Sequence, residues 1–299
     1  MLRRPGALAL LLGAVVATPA AAQRPIKVFI SIDMEGITGV ATDGQLGPGA
    51  FEWERFRAFM TAEALAAIEG AREAGATEFV VADSHGNMQN LLIDRFPDDV
   101  TIVRGSPRPW SMMEGLDSTF SAAMFIGYHA ATTNPMGVRA HTISSATFAG
   151  VYLNGRAQSE SSINAALAGS VGVPIVLVSG DDQAVSEVRT LLGEVEGAVV
   201  KRAIGFHSAA TMTPAAGQAL IKARARAAIQ RLASFKPYRV AGPYAIDLVY
   251  KSYRPAEAMA LLPGVERRDA HTIRFTARSI GDVSRFLVFS TTYRSDLEP

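Results

Sequence analysis

The strongest constraint on the fold is a run of short apolar segments, most of which stop at residues able to bind a cation. Ile26 to Ile32 is β-branched and apolar and runs into Asp33-Met34-Glu35-Gly36. Phe79 to Ala82 runs into Asp83-Ser84-His85, Thr101 to Val103 is a third such segment, Ala122 to Ile126 leads to His129, and Ile175 to Val178 leads to Gly180-Asp181-Asp182. Between the first two, Glu52 to Ala74 carries Phe56, Phe59, Met60, Ala64, Ala67, Ile68 and Ala71 at spacings of three and four, with Gly75 as a stop. That spacing predicts an amphipathic helix. Asn154-Gly155 predicts a two-residue hairpin, followed by a helix from about Ser159 to Ala168. Strands alternating with helices argue an α/β fold with a mostly parallel sheet flanked by helices. Near Lys201 the rhythm changes to a long helix from Pro214 to Leu232, a strand at Tyr244 to Tyr250, a short helix, strands about Glu266 and Arg274, and a closing helix. The expected organisation is a metal-binding catalytic α/β domain over 23–205 and a smaller C-terminal α+β domain over 206–299.

Residues 1–22 read as a cleavable export signal. Arg3 and Arg4 precede the apolar run Ala7 to Ala17, and Ala20-Ala21-Ala22 before Gln23 supplies the small residues for cleavage. Eleven apolar residues span about 16 Å of helix, roughly half a bilayer core, so the run is too short for an anchor. The expected location is periplasmic or secreted, with no membrane attachment after cleavage. Lys plus Arg number 29 against 28 Asp plus Glu, a net charge of +1, which gives no field to hold nucleic acid. Cysteine is absent, so thiolate metal sites, disulfides and cysteine nucleophiles are excluded and any metal must be held by nitrogen and oxygen.

In open parallel sheets ligands bind at the carboxyl ends of the strands. Asp33, Glu35, His85 and His129 converge there if the sheet is parallel, with His141 and Glu160 farther along the chain. Acids and imidazoles clustered without a cation would be costly, and a metal site resolves the conflict. Two divalent ions balance three carboxylates and one shared hydroxide, whereas a single ion leaves a negative sum. Imidazole and carboxylate suit Zn²⁺, and a paired site implies hydrolysis. Metals and carboxylates alone leave a phosphoesterase open as an alternative, and also a non-catalytic periplasmic peptide binder. Asp83 and Asp181 could orient ligand imidazoles or simply bond loops and caps. Packing is the expected role of Trp53 and Trp110, and neither His207 nor His271 has an acid directly adjacent in sequence.

The motifs also carry a resemblance. Asp-Met-Glu-Gly at 33–36, Asp-Ser-His-Gly-Asn-Met-Gln-Asn at 83–90, Met-Met-Glu-Gly-Leu-Asp at 112–117, Gly-Tyr-His-Ala at 127–130, Ser-Glu-Ser-Ser-Ile-Asn-Ala at 159–165 and Gly-Asp-Asp at 180–182 are collinear with the zinc-dependent D-aminopeptidase family of the DppA type. The resemblance implies two zinc ions held by Asp33, Glu35, His85, His129 and Glu160, with Asp33 similar to the bridging ligand. It makes His141 the further active-site histidine, and it implies short-peptide substrates with an N-terminal D-residue and a large homo-oligomer. Arg139-Ala140, before His141, departs from the smaller polar approach common in the family.

Overall fold

Alternate residues of the first strand point to opposite faces of the sheet, and both faces are apolar. Phe29 joins one core, while Val28, Ile30 and Ile32 join the other. A strand buried on both faces must lie inside a sheet covered by helices on each side. The computed structural model, which describes residues 1–2 and 25–294, shows this arrangement. Most of the expected export signal lies outside the described residues.

In chain order the elements are β1 (Ile26–Ile32), α1 (Trp53–Glu73), β2 (Ala76–Asp83), β3 (Val100–Val103), β4 (Ala122–Tyr128), β5 (Phe148–Leu153) and β6 (Arg156–Ala157). There follow α2 (Glu160–Ser170), β7 (Ile175–Asp181), α3 (Asp182–Leu192), β8 (Glu196–Gly205), β9 (Ser208–Thr211) and α4 (Pro214–Gln230). The chain closes with β10 (Tyr244–Tyr250), α5 (Tyr253–Met259), β11 (Val265–Arg267), β12 (Thr272–Ala277) and α6 (Ile280–Thr292).

The larger sheet has the order β3-β2-β1-β4-β7-β8-β9, parallel throughout except for the terminal β8–β9 hairpin. Helices α1 and α4 cover one face, where Phe56, Met60 and Ile68 pack with Ile221 and Ile229. Full burial of each large side chain contributes about 1.5–3 kcal/mol. The second sheet, β11-β12-β10-β5-β6, is antiparallel, and its apolar residues merge with α2, α3 and α6 into the core on the opposite face.

The sheets interleave along the sequence rather than dividing at residue 205. β5 and β6 leave the catalytic half to pair with β10, while β9 and α4, beyond residue 205, stay with the larger sheet. The Asn154-Gly155 turn, with φ of 50° and 77°, folds β5 onto β6 as its sequence predicts. The reversal of strand order falls between β1 and β4, the switch point at which open α/β sheets bind ligands.

Candidate metal centre

The switch point is closed by two glycines. The Gly36 amide donates to the carbonyl of Gly127 at 2.7 Å, and a Cβ at Gly36 would lie 2.1 Å from the Tyr128 carbonyl oxygen. Gly127 has φ +70°, and a Cβ there would lie 2.2 Å from the Asp33 oxygen. The ends of β1 and β4 can thus touch backbone to backbone, which brings Asp33 and His129 together.

Around Asp33 the donors fall into two halves. Oδ1 lies 3.3 Å from His85 Nδ1, which also contacts Glu35 Oε2 at 2.8 Å. Oδ2 lies 3.3 Å from His129 Nε2, which is also 3.3 Å from Glu160 Oε2. His141 Nε2 faces the gap between the halves, 3.6 Å from Glu160 Oε1 and 4.0 Å from Glu35 Oε1, and its ring stacks on His129 with centroids 4.0 Å apart. The six residues named from the sequence therefore meet in one place.

Each imidazole is fixed by its other nitrogen. His85 Nε2–H donates to the Leu46 carbonyl at 2.6 Å, His129 Nδ1–H to Ala130 at 3.0 Å and His141 Nδ1–H to Arg139 at 2.8 Å. A carbonyl behind each ring sets the tautomer and leaves the facing nitrogen free to bind a cation, as in metal sites. Glu160 starts α2, whose Ser159–Ser162 capping box fixes the first turn, and the Ile143 amide holds Glu160 Oε1 at 2.7 Å. The positive end of the helix favours its charge.

The electrostatics demand positive charge. Burial pushes the Asp33 carboxyl above its usual range, and the charge of Glu35 adds to the shift. Burial acts the same way on Glu35 and Glu160, but the imidazoles, His85 foremost for the first and His129 for the second, overcome it and hold both below the usual range. For His85 and His129 burial opposes protonation, yet Glu35 and Glu160 respectively lead the carboxylates in raising both well above the ordinary imidazole value. The cluster attracts cations, whether protons or metal ions.

A metal fits the residues present. Asp33 Oδ2 and His129 Nε2 are buried polar atoms without a hydrogen-bond partner, facing each other across 3.3 Å. Such pairs are rarely left open in a folded interior. The ligand atoms of Asp33, Glu35 and His129 lie within 4.8 Å of one another, as do those of His129, His141 and Glu160, so carboxylate oxygens and imidazole nitrogens converge as a divalent cation requires. His141 lies somewhat farther from the carboxylates, 3.6 and 4.0 Å against 2.8–3.3 Å for the other two imidazoles, yet it still converges with His129 and Glu160 on one point.

Other residues take structural roles. The Asp83 carboxylate binds the amides of Asn90 and Leu91, and Asp181 caps α3 through Ala184 and holds the Val138 amide at 2.7 Å. Neither reaches an imidazole. His207 lies beside Arg139, His271 against the Tyr253 ring, and Trp53 donates to Asn90 at 3.2 Å.

Lys201 and Ile143 escape sequence reading, and of Arg139 the sequence shows the departure but not its role. Lys201 of β8 is buried and donates to the carbonyls of Glu35, Ile37 and Val40, gathering the loop that carries Glu35. Its charge amid Ala198-Val199-Val200 was the available signal. Arg139 and Ile143 bracket His141 with φ of 53° and 68°, conformations strained for side-chain-bearing residues and worst for β-branched isoleucine. The Arg139 guanidinium pairs with Asp43, so the departure at 139–140 builds a clamp behind His141.

The peptidase M55 family, described as D-aminopeptidase, matches residues 26–289. A D-aminopeptidase of Bacillus subtilis (strain 168) is 34% identical over 270 residues, covering 89% of this chain and 97% of its own length. The solved structure of a zinc-dependent D-aminopeptidase, DppA from Bacillus subtilis, described as a self-compartmentalizing protease, superposes with a TM-score of 0.83 at 33% identity over 90% of this chain and all of its own. The chain belongs to the peptidase M55 family of D-aminopeptidases and is a hydrolase.

Proposed function

We propose that the protein is a dinuclear zinc aminopeptidase that releases an N-terminal D-amino acid from short peptides or amides. One observation carries this reading: the split of the donors into two halves that share Asp33, with His85 and Glu35 on one oxygen and His129 and Glu160 on the other. One ion per half uses every buried acid of the cluster. The zinc-dependent relative and the family description supply the metal and the D-residue.

Zinc ions bound there would polarise a scissile carbonyl and lower the pKa of a water. The chain contributes orientation and a proton. His141 Nδ1–H is committed to the Arg139 carbonyl, so Nε2 is the atom that can hand a proton to the departing amine nitrogen or stabilise the carbonyl oxygen. Strain at Arg139 and Ile143 holds that nitrogen between Glu35 and Glu160.

Purified protein should contain two zinc ions per chain, counted by an anomalous map at the zinc edge, and should cleave D-Ala-D-Ala faster than its L-counterpart. His141→Ala should keep its zinc and lose turnover roughly 10²- to 10⁴-fold. Bound zinc with no cleavage of D-alanyl substrates, alongside turnover of phosphate esters, would sink this reading in favour of the phosphoesterase.

Two further expectations belong to the same proposal. The protein is exported, so its mature form should begin near Gln23 on N-terminal sequencing. It also assembles into a homo-oligomer, a reading supported by the self-compartmentalizing relative, and light scattering should give a mass of several chains.

A further inference from the structure

A cavity of about 260 Å³ opens beside the metal centre, lined by Asp33, Glu35, His85, His141 and Glu160 and also by Arg108. That volume lies just below the roughly 300–1,000 Å³ of sites for drug-sized ligands, so a short ligand fits. Arg108 is the only lysine or arginine among the lining residues, and it is 6% exposed. A buried arginine is normally paired with an acid. Here no carboxylate oxygen lies within ion-pair distance among the described residues. The nearest acids are otherwise engaged: Asp83 holds Asn90 and Leu91, and Glu114 Oε2 accepts the Trp110 amide at 2.8 Å.

The guanidinium is held by main chain alone. Nη2 donates to the Asp83 carbonyl at 2.8 Å, Nη1 to the Val103 carbonyl at 3.2 Å, and Nε has no partner. Two of five N–H donors are therefore used. Ser284 of α6, also lining the cavity, is a second buried polar side chain without a partner. The Asp83 carbonyl is only two residues from His85, which would hold a cation at the same strand end. A residue of extended chain spans about 3.3–3.6 Å, and a short ligand held at the metal centre extends within the same cavity that Arg108 lines.

We infer that Arg108 is the specificity residue that binds the C-terminal carboxylate of the substrate, which makes dipeptides with a free carboxyl group the preferred class. A guanidinium matches a carboxylate in shape and charge, and it would gain the counter-charge that the protein withholds. The inference rests on the aminopeptidase reading above.

The test uses zinc-loaded full-length protein and three substrates: D-Ala-D-Ala, its C-terminal amide and D-alaninamide. Wild type should prefer the free dipeptide to its amide by roughly 10-fold or more in kcat/KM, mostly through KM, as loss of a charge-assisted hydrogen bond predicts. In Arg108→Gln the ratio of dipeptide to D-alaninamide activity should fall roughly 10- to 100-fold, with Arg108→Lys between. An equal loss on both substrates would show that the guanidinium only braces the strand ends and would overturn the inference. So would a wild type indifferent to the terminal carboxylate, a result that needs no variant to fold. If the wild type cleaves none of the three, the aminopeptidase reading fails and this subsite falls with it.

Discussion

The loop from Asp33 to Val40 has buried charge on both sides, and the two sides dispose of it differently. On one side Asp33 and Glu35, joined by Glu160, face three imidazoles, and atoms of Asp33 and His129 are left unpartnered. On the other, the Lys201 ammonium is closed off by three carbonyls, and Glu63 of α1 accepts the Thr38 amide at 2.9 Å. Burial pushes Glu63 up to about 7 and Lys201 down to about 8, so an isolated buried acid meets its cost by taking a proton. Three buried acids packed together need a heavier cation. The difference separates a site built to receive something from a brace built to hold a loop.

The largest effect should come from the Asp33 carboxylate, which serves both halves. Asp33→Asn keeps the shape and the acceptor for the Met34 amide, which Oδ1 binds at 2.8 Å, but removes a charge common to both halves. Activity should fall about 10⁴-fold or more with loss of zinc, while the metal-free variant should melt no lower than metal-free wild type, because one of three crowded acids is gone. A variant that retains both ions would contradict the shared role. Lys201→Met should do the reverse. The Glu35 and Val40 carbonyls lose their donor and the Ile37 carbonyl keeps only the Val40 amide, and stability should drop by about 2–4 kcal/mol in denaturant titration. Zinc affinity should weaken by roughly 10- to 100-fold through the loosened loop, as for other outer partners of metal ligands. Unchanged stability would show that water replaces the ammonium at no cost.

Local pattern carried much of the fold. The strand ends that deliver Asp83, His129 and Asp181, the α1 helix and the Asn154-Gly155 turn all follow from period and turn chemistry, because each is decided within a few residues. The six residues of the cluster were also legible, since strand ends of a parallel sheet must meet at its edge. Partnership over long separation was not. β5 pairs with β10 some hundred residues later, and β9 and α4 stay with the first sheet beyond the boundary that the change of rhythm near Lys201 suggested. The same holds for the supports. Lys201 reaches a loop more than 160 positions away, and Arg139 serves through its carbonyl and strained φ, neither of which a residue's identity reveals.

The smallest of these effects tests whether the second side of the loop is a proton site. Glu63 titrates near 7 in the folded chain and at its ordinary 4.5 when unfolded, so between these values the folded state binds the extra proton. Stability attributable to Glu63 is therefore full below about pH 4.5 and declines as pH rises through 7. The shift corresponds to at most about 3 kcal/mol at 1.36 kcal/mol per unit, reached above pH 7. Glu63→Gln removes the titration while keeping an acceptor for Thr38. Measured as the difference between variant and wild type, with other groups cancelling, the gap should shift in favour of the variant by up to about 3 kcal/mol between pH 4.5 and 7.5. A gap independent of pH would mean that Lys201 keeps Glu63 ionised after all, and the loop would then carry ion-pair chemistry on both sides.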